Sequence, residues 1–250
     1  MSNSVVITSA VRTAVGSLGK SLKNVSGDSL GSSVITESIN KSQIKNDEID
    51  EVIMGQVLTG GAGQNPARQA AMKSGVPKEK PAYIVNQVCG SGLRSVASGF
   101  QSIKAGDSKI IIAGGQESMS LAPHAIHLRE GKKLGNTEMT DTMIKDGLWD
   151  AFHGYHMGVT AENVATKFQV TRDDQDKFAL NSQEKALKAQ KENKFKEEII
   201  NFKIKSKKNE INFNKDEHPR EEINLEALKR LKPVFKKDGT VTAGNASGIN

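Results

Sequence analysis

Cysteine is almost absent from this sequence, since Cys89 is the only one among 250 residues. A single cysteine excludes a disulfide within the chain and any metal site built from a cysteine cluster. Such usage is typical of proteins in a reducing compartment, so we expect a cytoplasmic location.

Long apolar runs are also absent. Hydrophobic residues make up 36% of the chain, which is enough for a globular core but not for a membrane protein. No run approaches the roughly 20 apolar residues that a membrane-spanning helix needs. The first residues, MSNSVVITSAVRT, lack the basic and apolar regions of a signal peptide. We therefore expect no membrane partner.

Acidic residues are outnumbered, and the formal net charge of +6 would suit an acidic partner such as nucleic acid. However, half of the charged residues lie between positions 171 and 240, where the two signs are interspersed. This pattern is typical of a solvated surface and predicts no nucleic-acid partner. The lysine-rich run KIKSKKNE at 203–210 is interpreted in the same way, as a solvated turn.

What the chain does have is an alternation of β-prone and amphipathic segments over its first 115 residues. This alternation predicts an α/β fold with a largely parallel sheet. Asp28 and Asn65 are predicted helix N-caps. The predicted strands are 5–7, 52–58, 83–88 and 109–113, and the predicted helices are 29–40, 66–73 and one that begins after Cys89.

Cys89 lies where the third predicted strand turns into a helix, in the stretch YIVNQVCGSGLRSV. Backbone N–H groups and the helix dipole at such a position stabilise a thiolate. Gly90 and Gly92 leave room for a substrate to approach the backbone. Cys89 is therefore a candidate nucleophile, although these residues alone fit a packed core thiol equally well.

Six collinear segments carry a family resemblance: SAVRTAVGSLGK, GQNPARQAA, NQVCGSGLRSV, AGGQESMS, DTMIKDGLWDAFHGYHMG and DGTVTAGNASGIN. Together they span nearly the whole chain, and on them the sequence resembles the thiolase family, in its biosynthetic acetyl-CoA acetyltransferase type. The resemblance implies a thiolase-like α/β fold, the N-terminal half of a layered αβαβα architecture with a mixed, largely parallel sheet. It further implies an N-terminal domain at 1–118, a large inserted loop domain at 119–240, and a returning strand of the first domain at 241–250.

The resemblance also implies a reaction. Cys89 would attack the thioester carbonyl of acyl-CoA, form an acyl-enzyme and release CoA. A second acetyl-CoA would then attack the acyl group in a Claisen condensation to give acetoacetyl-CoA. In the reverse direction, acetoacetyl-CoA would be cleaved by thiolysis. The substrates are acetyl-CoA and acetoacetyl-CoA, and the family implies neither a cofactor nor a metal.

Five further residues match family positions in the CoA-binding groove. His156 matches a histidine near the reacting thioester, and Ser247 matches a serine that contacts the pantetheine arm. Arg220 matches a residue near the adenosine end, and Leu148 and Met157 match apolar walls of the groove.

Thiolases continue beyond the position of Gly248 into a second half, which carries an activating histidine and a second cysteine. Neither motif occurs here, so the resemblance implies impaired or absent activity of the isolated chain. It would be a truncated enzyme or one half of a split enzyme, assembled as a dimer or tetramer or with a complementing C-terminal half. A non-catalytic CoA-binding remnant is the alternative. A ketoacyl synthase is disfavoured by the NQVCGSG context and by the loop region that ends in HGYHMG.

Overall fold

A computed structural model describes residues 4–205 and 210–250 of the chain. Its centre is a three-stranded parallel sheet with β1 (Glu51–Gly55) between β2 (Ala82–Val85) and β3 (Ile111–Gly115). Val52 of β1 is in register with Ala82 on one side and with Ile112 on the other. The predicted α/β fold with a parallel sheet is thereby confirmed.

Two helices, α1 (Gly27–Ser42) and α2 (Pro66–Lys73), cover one face of the sheet. The predicted cap of α2 is confirmed, because the Asn65 side chain accepts the N–H of Arg68. The predicted cap of α1 is wrong: α1 begins after Ser26, and Asp28 lies in its first turn, where it pairs with Lys73 of α2.

The buried core between these elements consists of Ile35, Ile39, Ile49, Val52, Met54, Ala67, Ala70, Ala71 and Val76.

The opposite face is covered by α3 (Ser91–Ala105), which ends at Gly106 with a φ of 88°. The helix lies very close to the sheet, since a Cβ added at Gly55 of β1 would lie 2.4 Å from the backbone carbon of Ser91. The outer side of α3 is apolar and open, with Leu93 77% and Phe100 50% exposed.

The predicted strand at Val5–Ile7 is wrong. These residues pair with no strand among the described residues, and Val6 and Ile7 are 70% and 77% exposed. A cavity of about 950 Å³ lies between this segment and β3, so β3 is not within pairing distance. The chain that follows this segment is held at Arg12, whose guanidinium donates to Asp216 (2.7 and 3.0 Å) and to Glu198 (2.7 Å).

The remainder is a loop-rich region with short elements. Thr171 caps the longest helix, and its hydroxyl donates to Asp174 in a capping box. Residues 206–209 of the predicted lysine-rich turn lie outside the described residues. The elements are β4 (His124–Ala125), β5 (Thr140–Asp141), a wide helical turn (Met143–Leu148), β6 (Trp149–Asp150), β7 (Tyr155–His156), α4 (Met157–Lys167), α5 (Arg172–Lys191), β8 (Phe202–Lys205), β9 (Glu210–Phe213) and α6 (Leu225–Lys229).

Residues 241–250 form turns and extended chain, where a returning strand is predicted. Their one bridge joins Thr242 to Pro233, and Ala246 donates its N–H to the Thr242 carbonyl in a tight loop. The N–H groups of Thr242, Gly244 and Ala246 all donate within this loop, so they are not available for pairing with a strand. The division into domains at 118 and 240 stays a prediction. Within the described residues, no helix combines the length and apolarity needed to span a bilayer.

Candidate active site

The turn at residues 86–91, which joins β2 to α3, presents Cys89. Val88 adopts a φ of 49°, a left-handed conformation that is unusual for a β-branched side chain. Local hydrogen bonds hold it: Asn86 Oδ1 accepts the Val88 N–H (2.9 Å), and Ser91 Oγ donates to the Val88 carbonyl (2.6 Å). Strained backbone of this kind concentrates at functional sites, which supports a chemical role for this turn.

Cys89 itself is exposed. The interpretation of this residue as a packed core thiol is therefore wrong. Within residues 4–205 and 210–250, no side chain forms a hydrogen bond with Cys89 Sγ. The thiol is exposed, and in the described part of the chain no base is hydrogen-bonded to it.

Cys89 also lines the cavity of about 950 Å³. Glu117, a further lining residue that the sequence analysis did not identify, accepts the N–H groups of Val57 (2.8 Å) and Leu58 (3.2 Å). Burial raises the pKa of Glu117, and these two hydrogen bonds offset the increase only in part. None of the five predicted CoA-groove residues lines this cavity.

Three of the five predicted groove residues lie together at a second place, on or beside the β6–β7 hairpin. Trp149 pairs with His156 across the hairpin, so that Leu148 precedes one strand and Met157 follows the other. His156 Nδ1 accepts the N–H of Gly158 (3.0 Å) and thereby caps α4.

Phe235 belongs to the same cluster and was missed by the sequence analysis. Its ring stacks on His156 with centroids 4.8 Å apart and an interplanar angle of 19°. A Cβ added at Gly158 would lie 2.3 Å from the ring, so the glycine makes room for it. No periodic pattern surrounds Phe235 in the sequence, and only the tertiary contact identifies it.

Arg220 and Ser247 lie apart from this cluster. Both are exposed; the Arg220 N–H donates to Gln183 of α5 (2.8 Å), and Ser247 Oγ is 3.4 Å from the Gly248 carbonyl oxygen. In the described structure, no hydrogen bond, ion pair or ring contact joins either residue to His156, or His156 to Cys89. Their predicted roles stay predictions.

Metal ligation finds no support in the placement of acidic and histidine side chains. His153 pairs with Asp150 at 2.8 Å and His124 lies 3.9 Å from Asp141. Across residues 4–205 and 210–250, no group of three or more His, Cys, Asp or Glu side chains could hold a metal ion.

Comparison with known proteins gives a consistent result. The sequence model of the family described as "Thiolase, N-terminal domain" matches residues 5–250. An acetyl-CoA acetyltransferase of Rhizobium meliloti is 57% identical over 251 residues, and one of Shinella zoogloeoides is 54% identical over 250. Each match covers 100% of this chain and 64% of the relative, so the chain spans less than two thirds of their length.

A solved structure agrees with these relatives. The crystal structure of the Bacillus anthracis acetyl-CoA acetyltransferase superimposes with a TM-score of 0.95 at 41% sequence identity. The match covers 98% of this chain and 62% of that one.

Proposed function

Because this chain belongs to the thiolase family, whose N-terminal domain it contains, we propose that it takes part in acetyl transfer between CoA thioesters, as an acetyl-CoA C-acetyltransferase. The observation that carries the proposal is the exposed Cys89 on a strained turn at the start of α3. A thiol at that position can reach a bound thioester and is placed next to the positive end of a helix.

In the first half-reaction, Cys89 Sγ bonds to the acetyl carbonyl carbon of acetyl-CoA. The bond from that carbon to the CoA sulfur then breaks, and CoA leaves as a thiol with the proton that Cys89 gives up. In the tetrahedral intermediate between these two events, the former carbonyl oxygen carries a negative charge. The backbone N–H of Cys89 is the proposed hydrogen-bond donor to this oxygen. The product is an acetyl-cysteine thioester.

In the second half-reaction, another acetyl-CoA loses a proton from its methyl carbon and attacks the acetyl-cysteine, giving acetoacetyl-CoA and free Cys89. This step needs a base and an acid. The resemblance implies a histidine that activates the nucleophile and a second cysteine for proton transfer, and Cys89 is the only cysteine of this chain. We propose that these groups belong to the part of the longer relatives that this chain does not cover.

The CoA moiety is proposed to bind along the hairpin cluster. His156 and Phe235, stacked on each other, offer a ring surface near the reacting thioester, beside Leu148 and Met157. The exposed Arg220 offers a positive charge to the phosphate-bearing adenosine end, and Ser247 offers a hydroxyl to the pantetheine arm.

Partners and location follow the same proposal. We propose assembly with further copies as a dimer or tetramer, or with a complementing C-terminal half. The apolar outer side of α3, with Leu93 and Phe100, is a surface that such a partner would cover. A cytoplasmic location is proposed from the single cysteine.

A second candidate is CoA binding without catalysis. It is favoured by the absence, among the described residues, of a contact between the His156 cluster and Cys89, and of a base hydrogen-bonded to Sγ. CoA would then bind at the hairpin while Cys89 stays unmodified.

The test is intact-mass spectrometry after incubation of the purified chain with acetyl-CoA. We expect one added acetyl group per chain, removed by hydroxylamine as a thioester should be, and no addition to Cys89→Ala. An unmodified wild-type chain that nevertheless binds CoA would overturn the catalytic proposal in favour of the binding candidate. Equal acetylation of the variant would show reaction elsewhere on the chain.

A further inference from the structure

Two buried carboxylates on neighbouring helices point at one loop, residues 240–246. Glu162 of α4 is 4% exposed and Asp176 of α5 is fully buried. Glu162 accepts the N–H of Thr240 (2.9 Å), the N–H of Val241 (2.8 Å) and the Thr240 hydroxyl (3.1 Å). Burial raises the pKa of Glu162, but the Val241 and Thr240 hydrogen bonds lower it more, so the carboxylate is charged at neutral pH.

Asp176 holds the other end of the loop. Its Oδ1 accepts the side-chain amide of Asn245 (3.0 Å), and its Oδ2 accepts Nε of Arg172 (2.8 Å). Asn245 in turn closes the loop internally, because its Oδ1 accepts the Thr242 N–H (2.7 Å) and its Nδ2 donates to the Thr240 carbonyl (3.1 Å). Each carboxylate oxygen of Glu162 and Asp176 therefore accepts at least one hydrogen bond.

The loop lies between the two segments that the proposed groove requires. Before it, the Val234 N–H donates to the Val241 carbonyl (3.0 Å), which fixes the arm carrying Phe235. Directly after it comes Ser247. Glu162 belongs to α4, the helix that His156 caps, so its hydrogen bonds tie the loop to the same helix that presents His156.

Burying two carboxylates is costly, and apolar side chains of similar size would hold the helices together at least as well. The carboxylates add directional specificity, because each accepts hydrogen bonds only from donors at specific positions around it. We propose that Glu162 and Asp176 are positioning residues for the CoA-thioester groove, which hold the 240–246 loop so that Phe235 and Ser247 keep fixed places relative to His156. This inference rests on the proposed function.

The test exchanges two groups within the network. In Asp176→Asn, the single amide oxygen cannot replace both carboxylate oxygens as acceptors for Arg172 and Asn245. The hydrogen bond that connects the loop to α5 is therefore lost. In the double variant Asp176→Asn with Asn245→Asp, the new amide at 176 can donate to the new carboxylate at 245 and still accept from Arg172. The carboxylate at 245 also still accepts the Thr242 N–H, but it cannot donate to the Thr240 carbonyl as the Asn245 amide does.

CoA binding is measured by the fluorescence of Trp149, the only tryptophan, which pairs with His156. We expect Asp176→Asn to weaken CoA binding about tenfold, equivalent to about 1.4 kcal/mol. The double variant should recover only part of this loss, because it lacks the hydrogen bond from residue 245 to the Thr240 carbonyl. Asp173→Asn is the matched control, because Asp173 is on the same helix but its side chain is 60% exposed. It should bind CoA as the wild type does.

Thermal unfolding of each variant separates positioning from stability. Asp176→Asn protein that is folded and binds CoA with unchanged affinity would overturn the inference. That result leaves the proposed function standing as long as the wild-type chain binds CoA. If the wild-type chain binds no CoA, the proposed function fails and the inference fails with it.

Discussion

Replacing Gly55 by alanine is expected to lower the free energy of unfolding by about 3 kcal/mol, the upper end of what overpacking costs. The added Cβ would lie 2.4 Å from the Ser91 carbonyl carbon and 2.5 Å from the Gly92 nitrogen. Both are backbone atoms of the α3 start, so no rotamer change can relieve the contact. The helix must move away from β1 and take the Cys89 turn with it.

Gly92→Ala is the matched control for this variant. Gly92 lies at the start of the same helix, and a Cβ there meets nothing within 4 Å. Alanine also suits a helix better than glycine, so this change should be neutral or stabilise by up to about 1 kcal/mol. Urea unfolding followed by circular dichroism measures both. Equal stabilities of the two variants would show that α3 does not pack against β1 as described.

Replacing Gly158 by alanine is expected to remove the stacking of Phe235 on His156. The new Cβ would lie 2.3 Å from the ring, well inside van der Waals contact. An aromatic pair contributes about 1 kcal/mol beyond its buried area, and the displaced ring would also distort the proposed groove. We expect CoA affinity to fall by at least about tenfold.

Titration with CoA, followed by Trp149 fluorescence, measures the effect. Gly147→Ala is the control, since a Cβ there makes only an ordinary contact of 3.5 Å with Leu58. A Gly158→Ala protein with unchanged CoA affinity would mean that the His156–Phe235 pair lies outside the CoA site.

Features that depend on local chain chemistry could be predicted from the sequence. The second helix, with Asn65 as its cap and Pro66 in its first turn, follows from residues that contact each other within a few positions. The position of Cys89 at a strand-to-helix turn also follows from the change of apolar period around it. The thiolase resemblance is confirmed by the family match, and the thiolase-like fold by the superposition on a solved relative.

Features that depend on distant residues could not be predicted in this way. Val5–Ile7 has the composition of a strand, but pairing needs a neighbour, and a cavity separates it from β3. Phe235 meets His156 across 79 positions of sequence, and Glu162 meets Thr240 across 78. Nothing in their immediate sequence neighbours indicates these contacts. The exposure of Cys89, on which the proposed chemistry depends, could likewise not be decided from the sequence.

The central claim is that Cys89 accepts an acetyl group from acetyl-CoA and returns it to CoA. The most direct test is isotope exchange, in which labelled CoA is mixed with unlabelled acetyl-CoA and the chain, and label in acetyl-CoA is followed over time. We predict that the rate of exchange is proportional to the amount of chain and that Cys89→Ala shows no exchange. The exchange should be slow, because no base among the described residues is hydrogen-bonded to Cys89 Sγ. Exchange that persists in Cys89→Ala, or none from a folded wild-type chain that binds CoA, would contradict the account.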